Sequence, residues 1–315
     1  MGVTKQDMFG GDTGAQPALP GSYGEAPKGY RLPDATRLGH VVLQVSDLER
    51  SQRFYEHVLG FRALKRADDT VRLTALASDR VLVELRELRG AKPVGGLGRL
   101  GLYHFAILLP DRPALARFAR HIGEIGARAG AGDHLVSEAF YMNDPDGLGI
   151  EIYADRPRES WTRMGRELMM ATDPVDMNDL LTVAGPLQWV GMPNGTTIGH
   201  VHLHVGDIAQ AAAFYSEALG FDRVVWSYPG ALFLGAGGYH HHLGTNTWAA
   251  GAPSAALDEA RLVEWTIELP ARADIDAAAE SVQRAGFAVT HDGSAAELVT
   301  RDPWGTQVRV RATDA

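Results

Sequence analysis

One pattern is written twice in this chain, and it limits the folds available more than any other feature. Gly39-His-Val-Val-Leu-Gln-Val-Ser-Asp47 returns as Gly199-His-Val-His-Leu-His-Val-Gly-Asp207. The copies continue: Phe54-Tyr55 becomes Phe214-Tyr215, and Leu59-Gly-Phe61 becomes Leu219-Gly-Phe221. Ile107-Leu-Leu-Pro110 returns as Ile267-Glu-Leu-Pro270, and Asp144-Pro-Asp-Gly147 as Asp302-Pro-Trp-Gly305. A repeat on this scale means that one supersecondary unit is built again and must bury its apolar face against a neighbour.

The unit itself is readable. His40-Val-Val-Leu-Gln-Val45 is rich in β-branched residues, and Asp47 can cap a helix over residues 48–59 that stops at Gly60. Phe54, Tyr55 and Leu59 form the core face of that helix. Strands follow over residues 62–67, 71–77 and 81–88, and residues 89–101 read as a Gly-rich connector. The pattern restarts with a strand at 103–109 and a helix at 113–125, then strands to Tyr153. The expectation is an α+β fold of four βαβββ units, paired in chain order into two half-open barrel domains. Residues 34–154 form the metal-binding domain and residues 198–313 a degenerate second one. Residues 1–33, rich in Gly and Pro, read as an extended or disordered arm. Residues 155–197 are a partly helical linker carrying Trp161 and several methionines.

Composition narrows the chemistry. A net charge of -9 without a basic block argues against nucleic acid or an anionic membrane surface as the main partner. With 0 cysteines, disulfides, thiolate metal sites and a cysteine nucleophile are excluded, and the 12 histidines become the natural metal ligands. No apolar run reaches membrane-span length, and no secretory segment is visible, so a cytoplasmic location is expected.

Aligning the units puts His40, His104 and Glu151 at matching strand positions. Two imidazoles and one carboxylate on one face, with other positions open, is the ligand set of non-haem Fe(II) oxygenases. Mn(II) accepts the same set. In the second half the equivalents are His200, Glu264 and Arg309. A guanidinium has no free acceptor for a metal, so Glu264 and Arg309 are expected to form an ion pair. The run Tyr239-His-His-His-Leu243, read as a strand, puts His240 and His242 on one face. A second site from His200, His242 and Glu264 is the alternative use of that run, against packing or dimerisation.

The stretch from Gly132 carries a resemblance. Gly132-Asp-His134, five residues, Phe140-Tyr141, two residues, Asp144-Pro-Asp-Gly147, three residues and Glu151 resemble in full the signature of type I extradiol ring-cleavage dioxygenases. The wider repeat is similar to the vicinal oxygen chelate superfamily, and the paired halves look most like catechol 2,3-dioxygenases. The resemblance implies Fe(II) on His40, His104 and Glu151, with His134 and Tyr141 lining a catechol pocket as acid–base and hydrogen-bonding groups. It implies an aromatic diol and O2 as substrates, a role in aromatic hydrocarbon catabolism and a homo-oligomer. Many members of the family carry another acid–base histidine on the last strand of the first unit. Here Val83-Glu-Leu-Arg-Glu-Leu-Arg89 has none, which leaves that work to His134 alone or to a residue from elsewhere in the chain. The same segment supports an alternative, a glyoxalase-like isomerase or lyase with Glu84 as a fourth ligand. A non-catalytic small-molecule binding protein is the third reading.

Overall fold

The repeat appears as four successive units in a computed structural model that describes residues 2–10, 14–95, 98–291 and 297–313. An N-terminal arm carries α1 (Lys5–Phe9) and β1 (Gln16–Pro17). Unit one comprises β2 (Arg37–Val45), α2 (Leu48–His57), β3 (Arg62–Arg66), β4 (Thr70–Thr74) and β5 (Val83–Glu87). Unit two comprises β6 (Gly101–Leu108), α3 (Arg112–Glu124), β7 (Gly130–Asp133), β8 (Ser137–Asn143) and β9 (Gly149–Asp155). A linker follows with β10 (Thr162–Met164), β11 (Glu167–Leu168) and α4 (Met177–Thr182). Unit three comprises β12 (Thr197–His204), α5 (Ile208–Ala211), which runs on as a π-helix over Ala212–Ala218, then β13 (Asp222–Val225), β14 (Ala231–Gly235) and β15 (Leu243–Asn246). Unit four comprises β16 (Arg261–Leu269), α6 (Arg272–Arg284), β17 (Val289–His291), β18 (Glu297–Arg301) and β19 (Gln307–Ala312).

The helix starts follow local chemistry. Asp47, Asp111 and Asp207 each accept a backbone N–H three residues on, which satisfies a donor that the first turn cannot. Unit four has alanine at that place, and the Asp274 carboxylate accepts the Ala271 N–H instead.

The pairing of units is not by sequence neighbour. One eight-stranded sheet runs β13-β14-β15-β12-β6-β9-β8-β7, and the other β17-β18-β19-β16-β2-β5-β4-β3. Unit two therefore shares a sheet with unit three, across antiparallel β6 and β12, and unit one shares the other with unit four, across β2 and β16. The expected division at residues 154 and 198 cuts through both sheets. Every first strand offers one free edge, and each inner unit takes its inner neighbour across the linker. A single core cluster joins the halves, with Leu43, Tyr55, Phe105, Phe118, Val201, Phe214 and Trp265 all buried in it.

The arm and linker are ordered where described. Strand β1 pairs with β10, and β10 with β11, in a small three-stranded sheet. Buried Trp161, Leu168 and Met170 of the linker pack on Val225, Tyr228, Phe233 and Tyr239 of unit three, with Val3 and Met8 of the arm alongside. Further on, Arg31 clamps Asp222 through two hydrogen bonds of 2.7 and 2.6 Å. Of the expected extended or disordered arm, residues 2–10 and 14–33 are described and run mostly as extended chain over the domain surface, while residues 1 and 11–13 lie outside the described residues. No helix among the described residues is long and apolar enough to cross a membrane.

Candidate metal centre

Cross-strand register assembles the site. On neighbouring strands Tyr141 lies opposite Glu151, Glu151 beside Ala106, and Ala106 opposite His200, so β8, β9, β6 and β12 each give one residue to a single row. Side chains two residues apart share a face, which adds His104 to the same surface.

His104, Glu151 and His200 offer ligand atoms that all lie within 4.8 Å of one another, and all three residues are buried. His104 Nε2 is 2.9 Å and His200 Nε2 3.0 Å from the same carboxylate oxygen, Glu151 Oε2. His104 Nε2 nevertheless makes no hydrogen bond. A buried polar atom without a partner, aimed at a buried carboxylate and beside a second imidazole, is what a divalent cation would satisfy. The electrostatics agree. Burial alone would raise the Glu151 carboxyl, but His200 and His104 hold it well below the usual range. Burial, the largest effect, lowers both imidazoles against the pull of Glu151, which favours the neutral form that coordinates a metal.

The expected ligands are thus only partly brought together. His104 and Glu151 meet, but His40 stands on β2 in the other sheet and is not in the cluster. The third member is His200, because the partner of unit two is unit three. His200 was visible in the sequence as the copy of His40; what hid its role was the assumption that units pair in chain order.

His40 has counterparts of its own. Its sheet places Glu84 beside Val42 and Glu264 opposite Val42, where the first sheet has Glu151 and His200 about Ala106. Both carboxylates are neutralised: Glu84 by Arg72 and Arg86, Glu264 by Arg309 at 2.8 Å, as expected from sequence. Glu84 therefore lies in another sheet from Glu151 and is already ion-paired, which removes the fourth ligand of the isomerase alternative. His200 and Glu264 likewise lie in different sheets, so the second site of His200, His242 and Glu264 is not assembled.

His134 and Tyr141 sit beside the triad. The ring of Tyr141 is 5.5 Å from that of His104, and burial first, then Glu151, raises its phenol well above the ordinary value. His134 Nδ1 lies 2.8 Å from the Ala171 carbonyl and Nε2 2.5 Å from the Tyr141 hydroxyl. A carbonyl only accepts, so His134 carries its proton on Nδ1 and the Tyr141 hydroxyl donates to Nε2.

The histidine run contributes a residue that sequence reading had set aside. Residues 239–242 are not a strand, because Gly237 and Gly238 take positive φ values of 59° and 66° and turn the chain before β15. The turn sends the His241 ring onto that of His200, with centroids 4.1 Å apart. His241 Nδ1 is 2.7 Å from His240 Nδ1, and His240 Nε2 is 2.8 Å from Asp155 Oδ1. The Asp155 carboxylate accepts, so His240 is protonated on Nε2, and its Nδ1 accepts from His241. The lone pair of His241 is then on Nε2.

Comparison with known proteins follows this geometry. The chain is 46% identical over 259 residues to "Catechol-2,3-dioxygenase" of Bacillus subtilis (strain 168), covering 81% of this chain and 90% of that relative. Among solved structures, a Bacillus subtilis subsp. subtilis str. 168 protein provisionally called a dioxygenase superposes with a TM-score of 0.61 at 12% identity, over 91% of this chain and 87% of that one. Glyoxalase I from Zea mays superposes with a TM-score of 0.52 at 17% identity, over 88% and 92%. At such identities these two show the fold alone. The family model described as Glyoxalase/Bleomycin resistance protein/Dioxygenase superfamily matches residues 37–152 and 197–310, and the chain belongs to that superfamily.

Proposed function

We propose that this protein is an extradiol catechol 2,3-dioxygenase-like enzyme that opens an aromatic diol with O2 at one Fe(II) ion. The observation that carries it is the convergence of His104, Glu151 and His200 next to the Tyr141–His134 pair. Similarity to the Bacillus subtilis catechol-2,3-dioxygenase over most of both chains supports it. Two neutral imidazoles and one carboxylate would hold the ion and leave positions for a chelating diol. Bound Fe(II) would supply the one-electron chemistry that lets a closed-shell diol react with O2. In the overall reaction the ring carbon–carbon bond beside the diol breaks, and both oxygen atoms enter the product.

The protein groups handle protons. A catechol must lose protons to chelate. The Tyr141 oxygen donates to His134 Nε2, so its lone pairs face outward to accept from a substrate hydroxyl. A substrate proton taken by the Tyr141 oxygen can thus be balanced by passage of the Tyr141 proton to His134 Nε2, while the Ala171 carbonyl accepts from Nδ1–H and holds the ring in place. His241, stacked on His200 with its Nδ1 held by His240, offers Nε2 as a further hydrogen-bond acceptor, and burial lowers it well below the ordinary imidazole value. It comes from unit three, just before β15, whereas Val83-Glu-Leu-Arg-Glu-Leu-Arg89 lies in the other sheet and has no histidine.

Anaerobic reconstitution with Fe(II), then catechol, then air, tests the assignment. Oxygen uptake with a yellow ring-opened product is expected. Tight catechol binding by iron-loaded protein without oxygen uptake would sink it and favour a binding protein. The cytoplasmic location and homo-oligomeric state expected from the family resemblance remain part of this proposal; cell fractionation and light scattering check them.

A further inference from the structure

Large aromatic side chains lead outward from the metal centre on one side. Tyr103 precedes the ligand His104, their rings are 4.9 Å apart, and Tyr103 is 39% exposed. Trp248 is 50% exposed and meets Tyr103 edge-on at 5.6 Å. Behind them buried His202 touches His104 at 4.9 Å, Tyr103 at 5.2 Å and Trp248 at 5.7 Å. A continuous aromatic surface therefore runs from the ligand His104 to solvent.

That surface is held in place. Buried Asn246 donates to His202 Nε2 at 3.0 Å, and its Oδ1 accepts from His204 Nδ1 at 2.7 Å and from the Trp248 backbone N–H at 3.1 Å. The Trp248 indole N–H is anchored on the Pro229 carbonyl at 3.1 Å. An exposed indole fixed by backbone and side-chain bonds is a preorganised platform for a flat apolar group.

Charge decides what kind of group. None of Tyr103, His202 and Trp248 carries a fixed charge. The groups that hold them, Asn246, His204 and the Pro229 carbonyl, add no lysine or arginine to meet an anion. A divalent ion bound by Glu151 and an ionised diol has its charge already matched, so a further anion here would lack a partner.

Resting on the reading above as a catechol dioxygenase, we propose that Tyr103, His202 and Trp248 form the subsite for the ring substituent. The preferred diol carries an uncharged apolar group, best a flat aryl, and not a carboxylate.

The test compares catechol, 3- and 4-phenylcatechol and 3,4-dihydroxybenzoate on the iron-loaded protein. It also measures tryptophan fluorescence of the metal-free protein titrated with the same compounds. A phenylcatechol should exceed 3,4-dihydroxybenzoate in kcat/KM by about tenfold or more. It should also quench fluorescence in the wild type and much less in Trp248→Ala. Trp248→Arg should move the kcat/KM ratio toward the carboxylate by about tenfold. Equal or better turnover of 3,4-dihydroxybenzoate, or a ratio unmoved by Trp248→Arg, would overturn the subsite. If no catechol is opened yet Trp248-dependent quenching by a phenylcatechol persists, the subsite stands and the dioxygenase assignment falls.

Discussion

At the scale of residues, the site is defined by which imidazole completes the triad. His200→Ala should weaken iron binding by at least about 100-fold, while His40→Ala leaves iron content near that of the wild type. Metal analysis after desalting reads both, and the opposite result would move the site to the other sheet. The Asp144 carboxyl is a second informative residue. Burial pushes its pKa up to about 7, against hydrogen bonds from Asp146 and Leu148 N–H. Between the ordinary carboxyl pKa and about 7, the folded state holds a proton that the unfolded state has lost. Stability should therefore fall as pH rises from about 4 to about 7 and level off above. Asp144→Asn removes that slope, so its stability relative to wild type should rise across the window in urea titrations. No change in relative stability over this range would show that Asp144 titrates normally.

At the scale of elements, the helices of units one and three are each tied to a turn of the following unit. Tyr215, after α5, donates to Asp302 in unit four at 2.8 Å, as Tyr55 of α2 reaches toward Asp144 in unit two. Both members of each pair are buried. Tyr215→Phe should cost about 1–3 kcal/mol in chemical unfolding, since it deprives a buried carboxyl of a donor. The contact between β6 and β9 is more demanding. A Cβ at Gly149 would lie 2.0 Å from the Tyr103 carbonyl oxygen. Gly149→Ala must push apart the strands that carry His104 and Glu151. It should cost on the order of 3 kcal/mol and weaken metal binding along with stability. A variant with full iron content and an unshifted melting curve would contradict the strand packing.

At the scale of the whole molecule, the two sheets make the halves of the chain interdependent. Expressed alone, residues 34–154 would expose the free edges of β2 and β6 where β16 and β12 pair. Such a fragment should be unfolded or aggregated by circular dichroism and should hold no iron. Co-expression with residues 155–313 should restore both properties. An independently folded, iron-binding fragment would refute the interleaved pairing.

Much of this was legible in the amino-acid sequence. Unit boundaries, the helix caps at Asp47 and Asp207, the buried Tyr55 and Leu59, and the Glu264–Arg309 pair all follow from local periodicity and residue chemistry. Glu151, Tyr141 and His134 were singled out by their spacing. These are properties of short stretches, and short stretches carry their own information. Which first strand lies against which could not be read. Every first strand carries similar apolar residues, so the sequence is nearly indifferent between pairing units in chain order and pairing the inner two. Long-range packing of one shared core and the path of the linker chose the second arrangement. That choice put His200 in place of His40 and brought His241 to the site through a glycine turn. It also aligned Tyr103 and Trp248, which are far apart in the chain, at the mouth of the site.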